Sequence, residues 1–215
     1  MSISIDQKVM ERQHALDNAI NHPGIQQKLN RVSYDRRTLL KGRALNEQVR
    51  MFQLAKNDAY GTQAACTDTL QAHQAETQQG YQEHVTLARL AFKHDRGMQI
   101  KLGVVGPRKR AKDAWLAQAI TFYAQINEMA AALGGYGVSR DVLEQSKAMV
   151  EALVNMRQQQ LRCKAEAQDA TEKRDAALRE MEAWMRDFRA AARVALKDSP
   201  QWLEMLGISV RNRVK

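Results

Sequence analysis

Residues 139–198 decide the fold, and they read SRDVLEQSKAMVEALVNMRQQQLRCKAEAQDATEKRDAALREMEAWMRDFRAAARVALKD. The stretch contains neither glycine nor proline, so no residue in it ends a helix by local preference. Fourteen positions follow alternating spacings of four and three, and twelve of them are apolar. These seam positions are Met149, Leu153, Met156, Gln160, Cys163, Ala167, Ala170, Arg174, Ala177, Met181, Trp184, Phe188, Ala191 and Ala195. Such a heptad is typical of one helix that packs lengthwise on another.

An ungapped offset of 104 residues aligns the two halves of the chain. ARLAFKHDRGMQIKLGV (88–104) lies on ARVALKDSPQWLEMLGI (192–208), and 14 residues are identical over the 75 positions from 29 to 103. Ordinary residue usage predicts roughly 5 identities in such a comparison. We therefore expect two tandem homologous units, 1–107 and 108–215, related by a pseudo-two-fold axis.

The first unit repeats the seam less well than the second. Moved back by 104 residues, the seam has only eight apolar positions of fourteen, and Gly61 and Gly80 lie near its breaks. Residues 35–95 and 139–198 are therefore each either one long helix or a hairpin of two shorter ones, and the heptad favours long helices. The predicted fold is an all-α bundle with long, coiled-coil-like helices.

A shorter amphipathic helix is predicted before each long one, at about 5–21 and 111–133. Asp35 and Ser139 are suitable N-caps for the long helices, because their side chains can accept hydrogen bonds from the first turn. Gly103 and Gly207 are expected to end two equivalent short helices.

Composition and charge limit the class of protein. The formal net charge is +9 and is spread over both halves, which is compatible with a partner that carries negative charge. The N-terminal residues lack the apolar run of a secretory signal, and no 18-residue apolar stretch occurs, so we expect a soluble, cytoplasmic protein without a membrane segment. Cys66 and Cys163 lack CxxC spacing and are expected to be unpaired, buried apolar side chains.

No sequence motif indicates an enzyme, a metal site or a cofactor. Glu11 and His14 form one ExxH match, but a di-iron site in a helical bundle needs two, and all five histidines lie at or before position 94. The glycine-containing stretches at 102–110 and 133–137 follow no strand and lack the GK[ST] ending of a phosphate loop. We expect no catalytic, metal-binding or cofactor-binding residues.

Three of the polar residues in the first seam lie close together in its second half: His73, Thr77 and His84. A histidine on a packing face can act as a pH switch or mark a ligand site. A hydrogen-bonded core histidine that fixes the helix register is the more frequent case, and the sequence favours that interpretation.

Two basic strings follow Gly103 and Gly207 at equivalent places in the two units. They contain Arg108, Lys109, Arg110, Arg211, Arg213 and Lys215, which form the candidate partner surface. The sequence predicts a non-enzymatic helical scaffold or protein-protein interaction protein, with a protein partner or a homodimer. One alternative is a nucleic-acid or polyanion binder that uses the basic strings, and another is a ligand sensor or enzyme with a site near His73 and His84.

Overall fold

The computed structural model describes residues 4–107, 109 and 111–209. These residues form helices and connecting turns and contain no strand. The helices are α1 (Ile5–Asn21), α2 (Pro23–Asn30), α3 (Arg36–Ala91), α4 (Arg96–Lys101), α5 (Lys112–Ile126), a short 3₁₀ helix (Asn127–Met129), α6 (Ala130–Gly134), α7 (Arg140–Ala195) and α8 (Pro200–Met205). Within the described residues, no helix combines the length and the apolar character that crossing a membrane requires.

The two long helices α3 and α7 are each continuous over 56 residues. Long single helices were predicted, and the hairpin alternative is wrong. Gly61 and Gly80 lie inside α3, where nothing within 4 Å would meet an added Cβ atom. A single glycine weakens a helix by only about 1 kcal/mol, so packing along the rest of α3 keeps it intact.

Side-chain caps fix where the helices begin. Asp35 Oδ1 accepts a 2.7 Å hydrogen bond from the Thr38 N–H at the start of α3, and Ser139 Oγ accepts one of 3.3 Å from Val142 N–H at the start of α7. Gly103 and Gly207, after α4 and α8, have φ of 65° and 66°, which is the left-handed conformation that glycine adopts without strain. These predicted caps and terminators are confirmed.

The helix boundaries repeat at the offset found in the sequence. α3 and α7 begin at Arg36 and Arg140, and α4 and α8 begin at Arg96 and Pro200, each pair being 104 residues apart. The common origin of the two halves and their pseudo-two-fold relation stay predictions.

The chain divides into two compact units. Unit 1 takes the described residues of Met1–Tyr60 and Glu166–Lys215, and unit 2 is Gly61–Ala165. Each unit thus contains a part of both long helices, which pack against each other. The tandem units 1–107 and 108–215 are defined by the sequence repeat alone, and they stay a prediction.

Each unit has its own apolar core. In unit 1, α1, α2 and α8 pack on the two long helices, and the core includes Leu16, Ile25, Leu29, Leu39, Val49, Met181, Phe188, Leu196 and Leu206. In unit 2, α5 takes the corresponding role, and the core includes Leu70, Tyr81, Val85, Leu102, Trp115, Phe122, Tyr123, Leu143, Val150 and Leu153. Burial of apolar area at about 25 cal/mol per Å² is the main force that holds such cores together.

Cys66 of α3 and Cys163 of α7 form a disulfide within unit 2. The prediction that the two cysteines are unpaired is wrong. Both cysteines lie on the predicted helix seams. A sequence repeat does not show which residues of two antiparallel helices lie opposite each other. The bridge joins residues 97 positions apart, so no short cysteine motif could predict it.

Candidate functional site

The predicted partner surface is described only at Lys109, whose backbone N–H donates a 3.3 Å hydrogen bond to Gln118 Oε1. The other five residues, Arg108, Arg110, Arg211, Arg213 and Lys215, lie outside the described residues. The role of the basic strings therefore stays a prediction.

The predicted polar seam separates into an exposed and a buried part. His73 is exposed, while Thr77 and His84 are buried and only 4% and 6% accessible. Thr77 Oγ1 donates a 2.8 Å hydrogen bond to the His73 carbonyl oxygen one turn earlier. The structure thus places two of the three residues on the packing face of α3.

His84 is paired with a tyrosine of α5. Its Nδ1 lies 2.9 Å from Tyr123 Oη, and the two rings meet edge to face. Burial lowers the pKa of His84 and raises the pKa of Tyr123 to about 12, so both groups are neutral near pH 7. A neutral buried pair of this kind fixes how α5 packs on α3.

A cleft of about 550 Å³ lies between α1 and α7 in unit 1. The residues that line it are Lys8, Glu11, Arg12, Glu182, Met185, Arg186, Arg189 and Arg193. Five of these eight residues are cationic and two are acidic, so the lining carries a formal charge of +3. We call this site the cationic cleft.

Helical spacing places the charged residues of α7 along one face. Glu182 and Arg186 are four residues apart, and Arg186 is followed by Arg189 and Arg193 at intervals of three and four. Residues at these spacings are neighbours on a helix surface, and eleven residues rise about 16 Å along the axis. The cationic cleft is therefore an elongated groove rather than a round pocket.

Arg12 is the most buried charge in the cationic cleft, with 7% of its surface accessible. Its Nη2 donates a 3.3 Å hydrogen bond to Glu182 Oε1, and Lys8 Nζ lies 3.6 Å from the same oxygen. Arg12 Nη1 is buried and has no hydrogen-bond partner among the described residues. Burial lowers the pKa of Arg12 despite Glu182, and the positive charge of Arg189 lowers it further. Glu182, which Lys8 shares, and the smaller effect of Glu11 thus leave the positive charge only partly compensated.

The outer cations of the cleft, Arg186, Arg189 and Arg193, are exposed. Within the described part of the chain, Arg189 and Arg193 make no ion pair or side-chain hydrogen bond. Arg186 Nε lies 3.7 Å from Asp187 Oδ1, and both side chains are largely exposed. An exposed pair of this kind contributes little energy and is easily exchanged.

Three of the cleft positions on α7 can be compared with positions on α3 that lie 104 residues earlier. Val85 occupies the position in α3 that Arg189 occupies in α7, and Tyr81 corresponds in the same way to Met185. Both Val85 and Tyr81 are 1% accessible, and the Tyr81 ring meets Trp115 edge to face with centroids 5.8 Å apart. At these two positions unit 2 thus has buried apolar packing where unit 1 has Arg189 and Met185. The third position keeps its cation, because Arg193 corresponds to Arg89, whose guanidinium donates hydrogen bonds of 2.8 Å to the Val104 and Gly106 carbonyl oxygens.

The arrangement of the cleft suits the binding of anionic groups. Arginine guanidinium groups donate paired hydrogen bonds to carboxylates and phosphates. Among the residues that the structure describes, no group of three or more His, Cys, Asp or Glu side chains is placed to hold a metal ion. The sequence prediction missed the cationic cleft because α1 and α7 meet there across 170 residues. The periodic charges from Glu182 to Arg193 were the available signal.

Comparison with known proteins found no matching family model, no similar curated protein and no similar solved structure.

Proposed function

We propose that this chain is a non-enzymatic helical interaction protein whose cationic cleft binds an acidic segment of a protein partner. The observation that supports this most strongly is the set of cations around Arg12. Arg12 is almost fully buried and shares one carboxylate with Lys8, and the nearby Arg189 and Arg193 have no ion-pair partner among the described residues. An acidic side chain in the cleft would supply the missing negative charge. The helical framework would hold these cations in place before the partner arrives.

The residues of the cleft favour a protein segment over nucleic acid. Glu11 and Glu182 lie among the cations and would repel an evenly charged phosphodiester backbone. Met185 also lines the cleft and adds an apolar side chain to the charged ones, although only 2% of it is accessible. A protein segment can match this mixture, because acidic, basic and apolar side chains can alternate along it.

The proposal is tested by fluorescence anisotropy of the full chain with two labelled probes. One probe is a helical peptide of about 16 residues with glutamates at i, i+4 and i+7, and the other is a single-stranded oligonucleotide of similar length. We expect the peptide to bind more tightly than the oligonucleotide at the same salt concentration. Tighter binding of the oligonucleotide would overturn the proposal in favour of nucleic acid, and binding of neither probe would also overturn it.

A matched pair of charge-reversal variants places the binding at the cleft. Arg189→Glu should weaken peptide binding at least about tenfold, or about 1.4 kcal/mol. Arg96→Glu makes the same charge change at an exposed position in unit 2 and should leave the dissociation constant unchanged. Equal losses in both variants would show that the peptide responds only to net charge, and would contradict a specific site.

Homodimerisation and a cytoplasmic location stay predictions from the sequence. The Cys66–Cys163 disulfide counts against a cytoplasmic location, because structural disulfides persist mainly in oxidising compartments and are rare in the cytosol.

A further inference from the structure

The two cysteines of the unit 2 disulfide differ in their exposure to solvent. Cys66 is half-buried and lines a groove of about 470 Å³ between α3 and α7. The groove is also lined by Thr62, Ala65, Thr69, Ala152, Asn155, Met156 and Gln159. Cys163 is 5% accessible and does not line the groove. A reagent can therefore approach the bridge through the groove and meet Cys66 first.

The bridge lies where apolar packing of unit 2 has ended. No α3 side chain from 61 to 69 is buried, and the core begins at Leu70. On α7, Leu153 is the last core residue, and from 154 to 165 only Cys163 is buried. The disulfide, rather than a set of buried apolar contacts, thus joins the two helices here. Regions with few buried contacts open locally at low free energy.

The direction of the exchange follows from this difference in exposure. Cys66 is half-buried and lines the groove, whereas Cys163 is 5% accessible and does not. A thiolate must reach the sulfur that it attacks. Access therefore selects attack onto Cys66.

We infer that the Cys66–Cys163 disulfide is a thiol-exchange site at which a low-molecular-weight thiol becomes attached to Cys66. The thiolate of the small molecule attacks Cys66 Sγ, a new sulfur–sulfur bond forms there, and the bond to Cys163 breaks. Its electron pair leaves with Cys163 Sγ as a thiolate, so one disulfide and one thiolate are present before and after the step. The groove has the size of sites that hold small molecules, about 300–1,000 Å³, and would accommodate the attached group.

The first test treats the oxidised full chain with reduced glutathione under native conditions. Rapid acid quenching followed by maleimide labelling traps the mixed disulfide, and peptide mapping locates it. We expect glutathione on Cys66 and maleimide on Cys163, with Cys66 favoured about tenfold or more. Equal attachment to both cysteines, attachment mainly to Cys163, or reaction only after unfolding in urea would overturn the inference.

A matched pair of variants tests whether the attacking thiol reaches Cys66 through the groove. Ala65 lines the groove, while the adjacent Ala64 does not, and both are exposed on α3. Ala65→Phe should slow the exchange about tenfold by blocking access, and Ala64→Phe should leave the rate unchanged. Circular dichroism confirms that both variants remain helical. An unchanged rate in Ala65→Phe, or the same loss in both variants, would contradict attack through the groove. The result does not depend on peptide binding in unit 1.

Discussion

Removal of the Cys66–Cys163 disulfide should destabilise unit 2 by an amount that follows from the length of the loop that it closes. The bridged residues are 97 positions apart. For a loop of this length, the lost freedom of the unfolded chain corresponds to about 4.7 kcal/mol at 25 °C. Measured effects of disulfide removal are commonly about 2–5 kcal/mol. We therefore expect Cys66→Ser/Cys163→Ser to lower the free energy of unfolding of unit 2 by about 4 kcal/mol.

The assay follows unit 2 separately by tryptophan fluorescence. Trp115 belongs to the unit 2 core, while Trp184 and Trp202 belong to unit 1. In a background with Trp184→Phe and Trp202→Phe, urea unfolding reports Trp115 alone, with and without the two cysteines. The midpoint should fall at an unchanged slope. A loss of less than about 1 kcal/mol would refute the reasoning, because a crosslink with this separation cannot then restrict the unfolded chain.

Three further predictions concern single side chains. Arg12→Leu should change the free energy of unfolding by less than about 1 kcal/mol, because its partner carboxylate is partly exposed; calorimetry should find peptide binding weakened about tenfold. Burial lowers the pKa of His84. The contribution of His84 to the free energy of unfolding is therefore complete above the pKa of an unfolded histidine, about 6.5, and is lost at lower pH. Free energies of unfolding from urea titrations at pH 7.5 and 5.5 should differ by up to about 1.4 kcal/mol, and the difference should shrink in His84→Gln. Gly42→Ala should lower the free energy of unfolding by about 1–3 kcal/mol, because the new Cβ overlaps the Trp184 ring. Gly61→Ala places its Cβ in open space and should raise the free energy of unfolding by about 0.5–1 kcal/mol; thermal unfolding measures both changes.

The long helices could be predicted because their signals are local. Residues 139–198 contain no helix breaker and carry a nearly complete heptad, and α7 is one helix from Arg140 to Ala195. In α3 the local sequence pattern was ambiguous, because the seam has fewer apolar positions than that of α7 and Gly61 and Gly80 lie near its breaks. The continuity of α3 depends on tertiary packing, which outweighs the modest preference of single residues.

The disulfide and the cationic cleft could not be predicted because both depend on the register between distant segments. Cys66 and Cys163 lay on the two predicted seams, yet nothing in either seam says which positions meet. Arg12 and Glu182 are likewise brought together across 170 residues. Periodicity within a helix shows which face is apolar or charged, but the partner of that face is set by the packing of the whole unit.

The most direct measurement of the central claim is a charge swap between the cationic cleft and its peptide. Anisotropy would compare the original chain and the variant Arg189→Glu/Arg193→Glu, each with the glutamate peptide and with the same peptide carrying lysines at those positions. We expect the variant to lose the glutamate peptide and to gain the lysine peptide, since the new carboxylates then face cations. Binding of the glutamate peptide that is equal in the original chain and the variant would contradict a partner site in the cationic cleft.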